Sequence, residues 1–204
     1  ANRKHTQRDD HLLDDNTRFQ VVEAYKTLRT NLLFALSTAK NKITLISSPE
    51  PDSGKSIISS NLGITIAQTG AKVVLIDADM RKPTQHKNFS VPNNLGLSYI
   101  LSDLCSANEA IMKNVVPNLD LITSGAIPPN PSELLGSKNM INLLDALFEE
   151  YDYILIDTPP VGVTADALTF LNHTAGMLLV ARQNHTSYKD LEKCVEQIKH
   201  IGGN

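Results

Sequence analysis

Five short, almost unbroken apolar runs punctuate the chain: KITLIS (42–47), KVVLIDAD (72–79), LDLITSG (119–125), YDYILID (151–157) and GMLLVAR (176–182). Helical spacing fills stretches between and after them, at 55–69, 137–150 and 187–201. A strand that is apolar without alternation is buried on both faces, the mark of a parallel sheet covered on each side. The pattern therefore predicts a doubly wound α/β domain, its mainly parallel sheet carrying helices on both faces. Ahead of the first strand, Val21, Tyr25, Leu28, Leu32 and Leu36 recur every three or four positions. They predict an amphipathic helix from Thr17 to about Ser37 with Asn16 as its N-cap. The opening ANRKHTQRDDHLLDD mixes both charge signs with little periodicity, so residues 1–16 are expected to be a mobile arm and 17–204 one domain.

In a sheet of this kind the functional loops lie at the carboxyl ends of the strands, and three such ends carry chemistry. After KITLIS comes SSPEPDSGKS (47–56), whose Gly54-Lys55-Ser56 ending is that of a phosphate-binding P-loop opening a helix. Asp52, Ser53, Gly54, Lys55, Ser56 and Ile57 are the candidate nucleotide contacts. Backbone N–H groups of residues 53–57 meet phosphate oxygens at the helix N-terminus, Lys55 bridges the β and γ phosphates, and the Ser56 hydroxyl ligates Mg²⁺. After VVLID, Asp77 and Asp79 stand two apart with Arg81 close behind. In extended chain the two acids share a face and could flank one Mg²⁺–phosphate centre. After YILI, Asp157 is placed as the acid that holds Mg²⁺ through water. A P-loop nucleotide site holding phosphate and Mg²⁺ is what these spacings predict.

Composition narrows the field. The 204 residues carry 19 Lys+Arg against 22 Asp+Glu, a net charge of -3, which is not the basic field of a nucleic-acid binder. No run approaches the ~18 apolar residues of a membrane span and no signal peptide is read at the start, so a cytoplasmic protein is expected. Cys105 and Cys194 match no metal-ligand spacing, and Cys194 belongs to the apolar stripe Leu191, Cys194, Val195, Ile198, Ile201 of the last helix.

With SSPEPDSGKS, VVLIDADMRKP, YILIDTPP and IPPNPSELL (127–135) in place, the chain resembles the bacterial tyrosine kinases of capsule and exopolysaccharide synthesis, the BY-kinases, from about Phe19 onward. It is similar to the cytoplasmic form that pairs with a separate membrane adaptor. That resemblance implies an ATP- and Mg²⁺-dependent protein-tyrosine kinase that autophosphorylates in trans, recruited to the inner face of the membrane through its adaptor. It further implies that Lys55 contacts phosphate, that Ser56, Asp79 and Asp157 hold the metal, and that Asp77 takes the tyrosine proton. Arg81 steadies either the phosphates or the acidic loop. Related partition ATPases of the MinD/ParA type carry a signature lysine where this chain has Glu50, so an ATPase switch without kinase activity is the second reading. A weakened nucleotide-binding scaffold is the third, because Asp52 replaces the glycine common in the family and puts a carboxylate beside a triphosphate.

The family's self-association motif, Glu-x-x-Arg-x-x-Arg, corresponds to Glu23, Lys26 and Arg29, which implies a homo-oligomeric ring. A solvated helix face with a Glu23–Lys26 pair is the rival reading. The family's final strand and tyrosine-rich tail have no counterpart up to Asn204. Either they lie beyond it, or the substrate is another protein.

Overall fold

A computed structural model describes residues 12–202. In chain order the elements are α1 (Phe19–Leu36), β1 (Ile43–Ser47), α2 (Lys55–Ala67), β2 (Val73–Asp77), α3 (Gln85–Asn88), α4 (Leu97–Leu101), α5 (Ala107–Ala110), β3 (Ile111–Val116), β4 (Leu119–Ile122), α6 (Pro131–Leu135), α7 (Lys138–Glu150), β5 (Tyr153–Asp157), a 3₁₀ segment (Asp166–His173), β6 (Gly176–Leu179) and α8 (Tyr188–His200). The six strands form one sheet in the order β3-β4-β2-β5-β1-β6. Neighbours are parallel except for β3, which runs antiparallel to β4 at the edge.

The apolar runs are continuous because alternate residues serve two different cores. Ile43, Leu45, Val74, Ile76, Ile154 and Ile156 face a layer built from α4, α6, α7, the 3₁₀ segment and Ile198 of α8. Ile46, Val73, Leu75, Leu121 and Leu155 face the opposite layer, built from α2 and backed by Leu28, Leu32 and Leu33 of α1. Squeezed between the sheet and α1, α2 is buried over most of its length, even at Ser59, Ser60 and Asn61. The stripe of α8 goes inward as the spacing predicts, with Cys194 and Ile198 buried.

The structure adds to or departs from the pattern at four places. The helix begins at Phe19 with Arg18 at the cap and no side-chain cap bond, because Asn16 lies in a turn where its N–H donates to Asp14 Oδ1 at 2.9 Å. Val21 is exposed, while Leu28, Leu32 and Leu33 carry the packing. Of the expected arm, residues 1–11 lie outside the described residues. Leu12 and Leu13 are partly buried against the α2 layer, and the Leu13 N–H donates to Asn61 Oδ1 at 2.8 Å. Lastly, β3 was not legible: its middle, Lys113 and Asn114, is exposed, and a bulge with Asn114 at φ 51° interrupts the ladder. Lysine and a bulge are usual on an edge strand, and they erase the apolar signal.

Candidate functional site

β1, β2 and β5 lie side by side and end together, so the three motif loops open into one cavity of about 1130 Å³. Its walls include residues 51–57, Asp79, Arg81 and Pro159-Pro160, and residues 182–185 from the loop after β6. The expected nucleotide contacts Asp52 to Ile57 all line it. Gly54 sits at φ 88° as the residue before α2, a left-handed conformation that glycine reaches without strain, and it turns the chain from loop into helix. Ser53 is buried and its hydroxyl donates to the Glu50 carbonyl at 2.9 Å, which tightens the loop from within.

At the base of the cavity the Lys55 ammonium donates to Ser56 Oγ (3.2 Å), Asp79 Oδ2 (3.0 Å) and Asp157 Oδ1 (3.2 Å). All of the groups assigned to the metal thus converge on one cation. Burial alone would lower the Lys55 pKa, but Asp157 and Asp79 outweigh it and hold the ammonium above the usual lysine range. A hydroxyl and two carboxylates are an all-oxygen donor set, the kind that a hard cation such as Mg²⁺ takes.

Asp77 and Asp79 do not share a face. β2 ends at Asp77, and beyond it the chain turns, so Asp79 points to Lys55 while Asp77 turns back. Asp77 is fully buried, and its carboxylate accepts from the N–H groups of Asp79 (3.2 Å), Thr84 (2.9 Å) and Gln85 (2.9 Å). It pairs in register with Asp157 on β5. Burial and the neighbouring Asp157 charge push its carboxyl up to about 7, against the pull of the Gln85 and Thr84 N–H groups.

Arg81 lines the cavity with its guanidinium anchored. Its Nε donates to Asp166 Oδ2 at 2.8 Å and its Nη2 to Ser132 Oγ at 3.2 Å, and the Ser132 hydroxyl donates to Asp166 as well. Of the two tasks the sequence left open, bracing the acidic loop has the geometry: Arg81 ties that loop to α6 and the 3₁₀ segment. Asp166 itself is buried, and although burial would raise its pKa, Arg81, Ser132 and Thr164 hold it below the usual carboxylate range.

Asp52 lies at φ 60°, a region that aspartate tolerates better than most residues. Its carboxylate is exposed and accepts from Lys82 Nζ at 3.0 Å, which lowers its pKa. The carboxylate thus has a cationic partner that sequence reasoning missed. The outer loop is held further by Arg182 Nη1 donating to the Asp52 carbonyl (3.1 Å) and by the Thr186 hydroxyl donating to Glu50. Glu50 thus fastens the loop where the partition ATPases place a lysine. Gln85 was also missed: its Nε2 donates to Asp157 Oδ2 (2.7 Å), the Ser56 carbonyl and Ser59 Oγ, joining the metal acid to the P-loop helix. Nothing in its spacing announces that role.

Two of the three candidate self-association residues pair with each other at the surface, and the third bonds to α2. Lys26 Nζ donates to Glu23 at 2.8 Å on the surface, and Arg29 Nη1 donates to the Thr65 carbonyl of α2 at 2.8 Å.

A mainly parallel sheet with a lysine-bearing P-loop and acids on the two adjacent strand ends defines a P-loop nucleotide-binding protein. Residues 41–203 match the AAA domain family. The chain is 36% identical over 189 residues to CapB of Staphylococcus aureus, named as a tyrosine-protein kinase, covering 93% of this chain and 83% of that protein. It is 41% identical to the tyrosine-protein kinase YwqD of Bacillus subtilis, over 86% of this chain and 74% of the relative. Against the tyrosine-protein kinase etk of Escherichia coli it is 38% identical but spans only 26% of that longer protein. Among solved structures, the chimerical protein CapA2B2 superposes with a TM-score of 0.87 at 37% identity, covering 93% of this chain and 84% of that one. The Escherichia coli ETK kinase domain does so at 0.87 and 34%, covering 95% and 85%. The chain belongs to the bacterial tyrosine-protein kinase family. A MinD protein from Pyrococcus horikoshii, at 0.67 and 23% over 79% of this chain and 66% of its own, shares the fold.

Proposed function

We propose that this protein transfers the γ-phosphoryl group of ATP to protein tyrosine hydroxyls, and that it does so in capsule or exopolysaccharide production beside a membrane adaptor. The observation that carries the reading is the convergence of Ser56, Asp79 and Asp157 on the Lys55 ammonium at the base of the cavity. A relative from a Klebsiella pneumoniae cps region and the CapA2B2 chimera support the cellular setting and the adaptor. Among the described residues no helix is long and apolar enough to cross a membrane, which is consistent with recruitment through a partner. Incubation with ATP and Mg²⁺ followed by phosphotyrosine detection tests the activity. ATP turnover without phosphotyrosine would instead favour the ATPase switch.

Phosphoryl transfer asks the protein mainly for positioning and charge neutralisation. Lys55 exchanges its carboxylate partners for phosphate oxygens, and the N–H groups opening α2 receive the rest. Ser56, Asp79 and Asp157 would hold Mg²⁺, which supplies further positive charge to the phosphates. Asp77 is assigned the tyrosine proton: a carboxyl pushed up to about 7 suits a base working near neutrality. Because three N–H groups occupy it, the 79–85 loop must release at least one of them for a hydroxyl to approach. Asp79→Asn and Asp157→Asn are expected to raise the Mg²⁺ concentration needed for half activity. Asp77→Asn is expected to leave that midpoint in place and slow transfer by roughly 10²- to 10⁴-fold. A Mg²⁺ titration giving one midpoint for wild type and all three variants would remove the metal assignments.

We also propose a homo-oligomer that uses the outer face of α1, where Glu23 and Lys26 are about half exposed and Phe19 and Phe34 are 76% and 81% exposed. Arg29 is reassigned to holding α1 on α2. Glu23→Arg is expected to lower the mass seen by light scattering at low salt without changing ATP binding. Arg29→Ala is expected to lower thermal stability instead, a bond from a charged donor contributing about 1.5–3 kcal/mol. An unchanged mass for Glu23→Arg at every salt concentration would exclude this face.

A further inference from the structure

Asp79 and Asp157 each turn one carboxylate oxygen to the Lys55 ammonium, and in each the second oxygen is already taken. Asp79 Oδ1 accepts from the Lys82 N–H at 3.0 Å, a bond from the backbone of its own loop. Asp157 Oδ2 accepts from Gln85 Nε2 at 2.7 Å. Both members of that second bond are sealed from solvent. The Gln85 amide has one workable orientation. Its Nε2 faces Asp157 Oδ2, the Ser56 carbonyl (3.0 Å) and Ser59 Oγ (3.0 Å), while its Oε1 accepts from the Ser60 hydroxyl at 2.6 Å. Turned over, the amide would set its oxygen against a carboxylate and a carbonyl, neither of which can donate. The main chain is fixed as well, because the Gln85 N–H donates to Asp77 Oδ2 at 2.9 Å. Backbone and side chain together hold the donor to Asp157 in one place.

We infer that Gln85 is a positioning residue that sets the choice of metal: by occupying Asp157 Oδ2 it limits that acid to a single metal bond, which favours Mg²⁺ over Ca²⁺. The inference rests on the metal assignment of Ser56, Asp79 and Asp157 made above and says which cation those oxygens accept. Mg²⁺ takes about six oxygens at roughly 2.0–2.1 Å and is satisfied by one or two carboxylates together with phosphate and water. Ca²⁺ takes about six to eight at roughly 2.3–2.6 Å and often draws on both oxygens of a carboxylate. The Gln85 amide and the Lys82 N–H leave each acid one oxygen to offer. Two such oxygens and the Ser56 hydroxyl suit the smaller ion and leave the larger short of ligands. For Ca²⁺ to gain a second bond from Asp157, the hydrogen bond to Gln85 must break in a place closed to water, where its loss is costly. Gln85 lies behind Asp157, outside the cavity wall, so it acts on the metal through that acid.

The test is to titrate MgCl₂ or CaCl₂ into the protein with a fluorescent ADP analogue and to read the midpoint of metal-dependent nucleotide binding. Wild type is expected to show a lower midpoint for Mg²⁺ than for Ca²⁺. Gln85→Met keeps the side-chain length and removes the amide. It is expected to raise the Mg²⁺ midpoint by about 10- to 100-fold, the usual effect of losing the group that orients a metal-binding side chain. Its Ca²⁺ midpoint should rise less, because the released Asp157 Oδ2 becomes a ligand, so the preference narrows. Ser60→Ala removes the bond on the other side of the same amide, leaves the donor to Asp157 in place, and should keep the wild-type ratio. A purely structural role for Gln85 would move both midpoints together, and an unchanged ratio in Gln85→Met overturns this inference while the metal assignment stands. So does a wild-type midpoint for Ca²⁺ no higher than that for Mg²⁺, a result that needs no variant to fold. Nucleotide binding that responds to neither cation overturns the metal assignment as well.

Discussion

Lys55→Met is expected to lose phosphoryl transfer by at least about 10²- to 10³-fold, the usual cost of deleting one preorganised charge-stabilising group. The same change has a second effect that a purely catalytic lysine would not show. Lys55 is buried and is the counter-charge of Asp79 and Asp157, both nearly sealed from water. Removing one partner of a buried ion pair costs about 3–5 kcal/mol, because the charges left behind have neither water nor a cation. The variant is therefore expected to melt at lower temperature than wild type. Two uncompensated carboxylates beside the Ser56 hydroxyl are also a stronger trap for a divalent cation. Mg²⁺ without nucleotide should accordingly raise the melting temperature of Lys55→Met by more than it raises that of wild type. Calorimetry with and without Mg²⁺ reads both effects. A folded variant with activity within tenfold of wild type would remove Lys55 from the chemistry, and equal Mg²⁺ shifts would remove the shared-cation picture of the acids.

The residues that the pattern revealed and those it hid differ in how their partners are distributed along the chain. Strand cores such as Val73–Ile76 and Ile154–Ile156 were legible because burial on both faces needs a local run of apolar side chains, and a run is visible without knowing the fold. Lys55, Asp77, Asp79 and Asp157 were legible because each follows such a run at a strand end. Gln85, Ser132, Asp166 and Lys82 were not. Each acts by closing onto a segment far away in sequence: Gln85 onto Asp157, Arg81 onto both Ser132 and Asp166, Lys82 onto Asp52. Such closures leave no periodicity. For the same reason the pairing of Asp52 with Lys82 has no signature in the spacing. At Glu23, Lys26 and Arg29 the family's motif implies one shared patch, and the structure adds that Arg29 also bonds within the chain. Spacing places side chains on a side of a helix, but it cannot show that α2 has already claimed Arg29.

Gly162→Ala is expected to damage the nucleotide site from behind. The turn after β5 is stitched to the end of β1: the Thr158 N–H donates to the Ile46 carbonyl at 3.0 Å, the Ser47 hydroxyl donates to the Pro159 carbonyl at 2.8 Å, and the Val161 N–H donates to Ser47 Oγ at 3.0 Å. These bonds press Gly162 against the root of the P-loop so closely that a Cβ there would stand 2.1 Å from the Pro49 carbonyl oxygen and 3.0 Å from its carbon. Both obstacles are backbone, and Cys194 Sγ at 3.3 Å closes a third side, so no side-chain rotation relieves the clash. Either the turn carrying Asp157 or the loop carrying Lys55 must shift. Overpacking of this kind costs about 1–3 kcal/mol in stability. Displacement of catalytic groups by about 1 Å can cost on the order of 10² in rate, so the larger loss should fall on kcat/KM and ATP affinity. Ile122→Val in buried β4 provides the control, since removing one core methylene costs about 0.5–1.5 kcal/mol and touches neither loop. Gly162→Ala should lose far more activity than Ile122→Val at comparable loss of stability. If the two variants bind ATP and turn over alike, the contact between Gly162 and Pro49 does not set the position of the P-loop.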